Sequence, residues 1–419
     1  MPRTHTLLAA ALLLAPAACD AAAPWEISRS ARAPPQQRLR ASAEPPGGLC
    51  ADDPSSDAAD TETQPFLIVT SPRSGSTWMV EALQKLPCVQ ATHEMFIPIA
   101  RKNPRIPHAV EDDDRLPALQ SRSLRTFFLG EGMPTGRCEE VERSVAAAKA
   151  RPHDVSFDLH MQINAMSFRC KAAEAFWALS SPACPGVPRA MGFKWMLNQR
   201  WKETLEANNY AAARFLASIG VRIVRLVRRD LVAQAVSNFS TWRTMRHASQ
   251  NSSVLGAAHK ASTAFEARIL ADMKTTIQPW QMVRMLLREQ KHQREAEELF
   301  ANLEKEGIPL DYVEVAYEDL IGDEGAGLRC AVKAFITRGG GRKCGSLAEA
   351  WKGSSYKIHK GRTSEYVQNW HAVSAEIFEH QELRPLLRND VGARDQSASE
   401  AALASIVARD PAIARSCDL

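Results

Sequence analysis

No Cys-x-x-Cys pair occurs in the 419 residues, although the chain contains nine cysteines. That absence argues against a zinc site built on paired cysteines. The net charge is small, +4 from 52 basic and 48 acidic residues, and no basic stripe stands out. Nucleic acid is therefore not the expected partner. A mildly basic chain is compatible with an enzyme that handles small anions.

The first 23 residues have the order of a secretory signal peptide, with positive charge, a short apolar stretch and then small residues. The apolar stretch falls short of the ~20 residues of a spanning helix, so cleavage is favoured over an uncleaved type II membrane anchor. Residues 24–63 are rich in Arg, Ala, Ser and Pro and predict a disordered stem. The expected location is the secretory lumen, with the Golgi favoured, or outside the cell; an organelle reached through a second targeting segment is the alternative.

Eight cysteines remain if a cleaved signal removes Cys19, and an even number behind such a signal favours disulfides. They are Cys50, Cys88, Cys138, Cys170, Cys184, Cys330, Cys344 and Cys417. Closeness in sequence favours Cys170 with Cys184 and Cys330 with Cys344, although sequence alone does not fix the connectivity. Free thiols are the alternative.

Short β-type runs alternate with longer helical runs from Pro65 onward. The predicted strands are FLIVT (66–70), CVQAT (88–92), RAMGFKW (189–195), VRIVRLV (221–227) and DYVEVAY (311–317). The predicted helices are STWMVEALQKL (76–86), NNYAAARFLASIG (208–220), DLVAQAVSNFSTWRTM (230–245), the stretch from Ser262 to Glu306, and SEAALASIVA (399–408). This alternation indicates βαβ units, so the predicted fold is α/β, a P-loop-like three-layer fold with a central, mostly parallel sheet.

One domain is expected over residues 64–397, followed by a C-terminal helix and tail over 398–419. Residues 101–160 show little periodicity and contain the acidic run EDDD and several prolines. A solvated loop is the expected structure there, and an insertion or lid on the substrate side is the alternative.

The stretch FLIVTSPRSGSTWM (66–79) places a loop rich in Ser between a predicted strand and a predicted helix. Backbone N–H groups and the helix dipole make a helix N-terminus an anion-binding position. Gly75 lets the backbone approach closely, and the hydroxyls of Ser74, Ser76 and Thr77 add donors. The loop therefore predicts a site for a phosphate-like anion.

The nucleoside triphosphatase pattern G-x-x-x-x-G-K-[ST] is not met by this loop. Thr70 stands where its first Gly belongs, and Ser76 stands where its Lys would reach the β- and γ-phosphates. The loop carries its cation earlier, at Arg73, and no strand ends in a convincing magnesium-binding Asp. These differences argue against a P-loop kinase or triphosphatase, which remains the alternative enzyme class.

The loop SPRSGSTW (71–78) resembles the 5′-phosphosulfate loop of sulfotransferases that use 3′-phosphoadenosine 5′-phosphosulfate (PAPS). In that family the loop reads Pro, Lys or Arg, Ser/Thr, Gly, Ser/Thr, Ser/Thr, and its basic residue contacts the sulfate. The resemblance gives this role to Arg73, as in many lumenal carbohydrate sulfotransferases. It implies that the donor is also bound by Ser74, Gly75, Ser76, Thr77 and Trp78.

A second stretch, VRIVRLVRRDLVAQAVSNF (221–239), resembles the family's 3′-phosphate site, an Arg at a strand end and a Ser at the start of the next helix. Arg229 and Ser237 have the family's spacing, and both side chains can donate to the same phosphate oxygens. The stretch is similar in style to the bacterial glycolipid sulfotransferases, although Leu231 replaces the usual Pro. Taken alone it would be a solvated strand end; together with the loop it predicts a PAPS site.

Two further stretches resemble the family's reacting centre. ATHEMF (91–96) is similar to a motif whose Glu is the proposed base, which makes Glu94 the first candidate base and His93 the alternative. GFKWMLNQ (192–199) resembles a strand motif that implies a place for Lys194 near the reacting centre, with Arg73.

The last part of the resemblance lies toward the C-terminus. VAYEDL (315–320) looks like the family's late strand and its exit. KIHKGRTSEYVQNW (357–370) resembles the basic segment that closes over the donor's 3′-phosphate and adenine, with Lys360, Gly361 and Arg362 as the matching residues.

The resemblance spans roughly residues 65–372 and implies transfer of a sulfuryl group from PAPS to a hydroxyl or amine of an acceptor. The acceptor is a glycan, a glycolipid or a small metabolite, and no metal is expected because a sulfuryl group carries less negative charge than a phosphoryl group. A non-catalytic protein that binds PAPS or its product, adenosine 3′,5′-bisphosphate, is a further alternative. Such a protein would keep Arg229 and Ser237 and could dispense with Glu94.

Overall fold

The structure of the chain is a computed structural model. It describes residues 63–86, 89–96, 116–130, 138–150, 162–163, 165–170, 190–248, 274–321, 325–338, 362–388, 396–411, 413–414 and 417. The chain divides after Gly47, and every described residue lies in the second unit, Gly48–Leu419. The expected signal, the stem up to residue 62, and Lys360 and Gly361 lie outside the described residues.

Five parallel strands form a sheet in the order β2-β3-β1-β4-β5. They are β1 (Gln64–Thr70), β2 (Val89–Glu94), β3 (Ala190–Met196), β4 (Arg222–Val227) and β5 (Asp311–Ala316). All five predicted strands are confirmed. β1 lies in the centre, and its four residues 66–69 are fully buried, because a parallel strand is covered by helices on both faces.

The helices cover both faces of this sheet, which confirms the predicted α/β three-layer fold. The longer ones are α1 (Ser76–Gln84), α2 (Leu116–Leu129), α3 (Cys138–Ala150), α4 (Trp201–Ser218), α5 (Leu231–Ala248), α6 (Pro279–Lys305), α8 (Ala326–Ile336), α10 (Trp370–Glu379) and α12 (Gln396–Arg409). The short ones are α7 (Tyr317–Leu320), α9 (Thr363–Tyr366) and α11 (Arg384–Arg388). Residues of α2, α4 and α6 pack on one face and residues of α1, α8 and α12 on the other.

None of the helices in the described part of the chain combines the length and apolar character that a membrane crossing requires.

One loop prediction is wrong, and one helix prediction is confirmed only in part. Part of the segment expected to be a solvated loop is α2, where Leu124 and Phe127 are fully buried and Phe127 packs on Phe193 of β3. The prolines and acidic run that precede α2 obscured its apolar face. The stretch expected to be one helix from Ser262 to Glu306 is interrupted, because residues 274–278 are not helical and α6 begins at Pro279, a residue that favours the first helical position. Residues 262–273 lie outside the described residues.

Disulfides are present as expected, but both predicted pairings are wrong. Cys138 bonds to Cys170, with Cα atoms 5.5 Å apart, and Cys330 bonds to Cys417, with Cα atoms 5.8 Å apart. Cys330 lies on α8, which packs against α12, and Cys417 follows α12. Contact between these helices, rather than closeness in sequence, therefore decides the second pairing. Cys50, Cys88, Cys184 and Cys344 lie outside the described residues.

Candidate functional site

The candidate residues gather at the carboxyl edge of the sheet. The loop 71–75 follows β1, Glu94 ends β2, Lys194 lies near the end of β3, and Arg228 and Arg229 follow β4. The chain leaves β1 toward β2 on one side of the sheet and leaves β4 toward β5 on the other. The crevice between β1 and β4 is thus a topological switch point, where open α/β sheets bind ligands.

The loop after β1 has two residues in the left-handed region, Arg73 (φ 64°) and Gly75 (φ 87°). A Cβ atom on Gly75 would lie 2.1 Å from Cδ2 of Tyr317, so only glycine fits beneath this ring. Trp78 meets the same ring edge-on, with centroids 6.0 Å apart. Among the described residues, no side chain caps the N-terminus of α1. The close approach explains why the sequence requires Gly at this position.

Side chains from both neighbouring elements fix the loop. Thr70 Oγ1 contacts Ser74 Oγ and donates to the backbone carbonyl of Leu226 in β4 at 2.8 Å. Gln234 of α5 donates through Nε2 to the carbonyl oxygen of Pro72 at 2.7 Å. The loop is therefore held against β4 and α5, the elements that carry the second predicted motif.

Arg73 joins the two predicted donor motifs. Its Nε donates to Oγ of Ser237 at 3.0 Å, across 164 residues of sequence. Nη1 of Arg228 donates to the carbonyl oxygen of Arg73 at 2.9 Å. Burial, and then the charge of Arg228, lowers the pKa of Arg73 to about 10, so its guanidinium stays protonated at neutral pH. The structure thus brings a buried cation and a serine hydroxyl together beside the helix N-terminus.

Arg229 is paired with a carboxylate from the segment after β5. Its Nη1 donates to Oδ1 of Asp319 at 2.6 Å, and its Nη2 donates to Oδ2 of the same carboxylate. Glu318 accepts from the backbone N–H of Arg229 at 3.2 Å and from that of Asp230 at 3.4 Å. The segments that follow β4 and β5 are therefore joined by the carboxylates of Glu318 and Asp319.

Tyr317 lies between the loop 71–75 and the segments that follow β4 and β5. The Arg228 guanidinium stands 5.4 Å from the centroid of the Tyr317 ring. Burial raises the pKa of Tyr317; Arg228 opposes that rise and Glu318 adds to it. The phenol is consequently neutral at physiological pH.

Glu94 and Lys194 form an ion pair, with Oε1 and Nζ 2.7 Å apart. Gln199 donates through Nε2 to the other oxygen of Glu94 at 3.3 Å, and its own Oε1 accepts from the backbone N–H of Met196 at 3.2 Å. His93 is the extra residue of a bulge between β2 and β3, and it is exposed. The bulge sets Glu94, rather than His93, opposite Lys194 in the register.

The described end of the basic segment predicted over 357–370 lies near α5. Arg362 is exposed and precedes α9. The carbonyl of Tyr366 accepts from the backbone N–H of Thr275 at 2.8 Å, and the Thr275 hydroxyl is 3.1 Å from that of Ser240. Ser240 is one turn beyond Ser237 on α5. The segment that carries Arg362 is therefore tied to the helix that carries Ser237.

Sequence reasoning gave no role to several residues of this site. They are Arg228, Tyr317, Glu318, Asp319, Gln199 and Gln234. VAYEDL was assigned only to a strand and its exit, and the presence of two adjacent acids at that exit was the available signal. Nothing in the local pattern indicated which basic residues they would meet.

A scan of the chain against models of protein families finds no match, and a search of curated protein sequences finds no similar protein. Among the described residues, no group of three or more His, Cys, Asp or Glu side chains could hold a metal ion.

Proposed function

We propose that the chain is a sulfotransferase that moves a sulfuryl group from PAPS to a hydroxyl or amine of a glycan, a glycolipid or a small metabolite. The observation that carries the proposal is the bond from Arg73 Nε to Ser237 Oγ. Two sequence stretches that separately resemble donor motifs meet through it at a topological switch point.

The residues around the loop suit an anionic donor. Arg73 and Arg228 hold like charges close together in a mostly buried place, which an anion between them would relieve. In the described part of the chain, Oγ of Ser71 and Nε of Arg228 are buried without a hydrogen-bond partner. Buried polar atoms of this kind are usually satisfied, and donor oxygens are suitable partners.

Residues of the site divide into three chemical roles. Glu94 accepts the proton of the acceptor hydroxyl while the acceptor oxygen bonds to sulfur and the bond from sulfur to the 5′-phosphate oxygen breaks. Arg73 and the N-terminus of α1 stabilise the negative charge that this oxygen gains. Lys194 and Gln199 hold the two oxygens of Glu94 and so orient the base. A positioned base typically contributes ~10²–10⁴-fold to the rate.

The signal-like first 23 residues and the two disulfides support a place in the secretory pathway, since disulfides persist in oxidising compartments.

Calorimetric titration with adenosine 3′,5′-bisphosphate tests the donor assignment. Ser237→Ala should weaken binding about tenfold, because a hydrogen bond to a charged group contributes ~1.5–3 kcal/mol. Ser218→Ala is the matched control, since its hydroxyl donates to the carbonyl oxygen of Phe215 at the end of α4, before the start of β4. Tighter binding of ATP with magnesium than of the bisphosphate would contradict the proposal. A radiolabelled sulfate-transfer screen over the three acceptor classes then tests catalysis.

A further inference from the structure

The carboxylate of Asp319 fixes the orientation of Arg229. Two parallel hydrogen bonds join the guanidinium to this carboxylate. The Asp319 side chain is fully buried, whereas 26% of the Arg229 side chain is exposed. Arg229 therefore stands at a boundary, with one edge fixed in the interior and the rest of its guanidinium accessible.

An arginine has five N–H donors in a rigid planar fork. The bond pair to Asp319 uses one on Nη1 and one on Nη2. In the described part of the chain, the other three donate to no protein atom. A planar group held at one edge has its remaining donors fixed in the plane of the guanidinium, on its two flanks, so the acid determines what they face.

Glu318 fixes the backbone at the same place. It accepts the N–H groups of Arg229 and Asp230, and its Oε1 is 3.7 Å from Nε of Arg228. Two consecutive acids after β5 thus hold two consecutive arginines after β4. Both the main chain and the side chain of Arg229 take their position from the β5 exit.

We propose that Asp319 is a positioning residue that aims the free N–H groups of Arg229 at the donor's 3′-phosphate. This inference rests on the proposed function, because it needs a donor with that phosphate. The opposite arrangement would have Asp319 compete with the phosphate for Arg229. The two arrangements predict opposite changes in affinity when the acid is neutralised.

The test compares the affinity for adenosine 3′,5′-bisphosphate with that for adenosine 5′-monophosphate, because the ratio reports the 3′-phosphate alone. Asp319→Asn keeps the shape but turns an amide N–H₂ toward the guanidinium, so the fork loses its orientation. We expect the preference for the bisphosphate to fall about tenfold. A preference that stays the same or rises would overturn the inference.

Glu314→Gln is the matched control. Glu314 pairs with Arg225 at 2.7 Å across the same two strands, before their exits, and in the described part of the chain it makes no hydrogen bond or ion pair with Arg229. Its substitution should leave the preference unchanged. If the wild-type protein itself shows no preference for the bisphosphate, the proposed function fails, which is a result distinct from failure of the Asp319 inference.

Asp319→Asn can fail to fold because the carboxylate is buried, so a second measurement uses the wild-type protein. A crystal structure with adenosine 3′,5′-bisphosphate should retain both bonds between Arg229 and Asp319, with another N–H of Arg229 on the 3′-phosphate. A complex in which Arg229 has left Asp319 for the phosphate would overturn the inference.

Discussion

Glu94 and Lys194 face each other across β2 and β3 with Oε1 and Nζ 2.7 Å apart, and the bulge at His93 creates that register. Without the bulge, regular pairing would set the exposed His93 opposite Lys194. The pairing gives one oxygen of the carboxylate to Lys194 and the other to Gln199. A carboxylate held at both oxygens is fixed in direction, as a general base must be.

Glu94→Gln should lower turnover by ~10²-fold or more, because the amide keeps the shape and cannot accept the proton. The affinity for adenosine 3′,5′-bisphosphate should stay near the wild-type value, since among the described residues Glu94 bonds to Lys194 and Gln199 and not to the loop. Steady-state assays on a confirmed acceptor and calorimetry measure the two quantities. Near-normal turnover in Glu94→Gln combined with a large loss in His93→Ala would transfer the role of base to the histidine.

Gly75→Ala should weaken donor binding and destabilise the fold. Its Cβ atom would meet Tyr317, whose ring Trp78 and Arg228 hold in place, and overpacking of this kind costs ~1–3 kcal/mol. A left-handed backbone adds ~1–2 kcal/mol for a residue other than glycine. Urea unfolding and calorimetry with the bisphosphate measure both effects.

Gly307→Ala separates these two contributions. Gly307 also has a positive φ, 65°, but a Cβ atom there would meet no atom of the described residues within 4 Å. We expect a loss of only ~1–2 kcal/mol and unchanged donor affinity. Equal effects of the two substitutions would show that the contact with Tyr317 is unimportant.

Tyr317 should lose its proton at a higher pH than an ordinary tyrosine does, because burial raises the pKa of its phenol. The folded protein then holds a proton that the unfolded chain releases above about pH 10. The contribution of Tyr317 to the free energy of unfolding is therefore complete below that pH and is lost as the pH rises toward the folded pKa. Tyr317→Phe should remove this alkaline loss.

Phenolate absorbance during an alkaline titration checks that prediction. The wild-type protein should show a component of the absorbance change at a pH above that of an ordinary tyrosine, and Tyr317→Phe should lack this late component. Tyr312→Phe, which keeps the ring stacked on Phe300, should retain the component. If Tyr317→Phe has the wild-type titration curve, the late phenol is another of the five tyrosines.

Peptide mapping without reduction should recover Cys138 linked to Cys170 and Cys330 linked to Cys417. Replacing both cysteines of the second pair by Ala should cost ~4–5 kcal/mol in the chain-entropy model, against ~3–4 kcal/mol for the first, because 87 residues rather than 32 separate its ends. Urea unfolding of the two double variants gives the comparison. A peptide linking Cys170 to Cys184 would contradict the connectivity.

The sequence predicted the parts of this protein that depend on local patterns. Residues 66–69 read as a buried strand because four consecutive apolar side chains need cover on both faces. Arg73 and Ser237 were found because each belongs to a stretch with a recognisable local order. Asp319 could not be assigned to Arg229 in the same way, since 90 residues separate them and either of two adjacent acids suited the role. The pairing of β4 with β5 determines that Asp319, rather than Glu318, meets the guanidinium of Arg229.

The bond between Cys330 and Cys417 has a consequence for the synthesis of the chain. Its second sulfur emerges 87 residues after the first, which at ~5–20 residues per second is a delay of roughly 4 to 17 seconds. During that interval Cys344 has been made and Cys417 has not. Cys330 therefore meets Cys344, which is not its native partner, before Cys417 has been made. If Cys330 is oxidised faster than the chain is translated, the resulting disulfide is non-native and thiol exchange is needed to correct it.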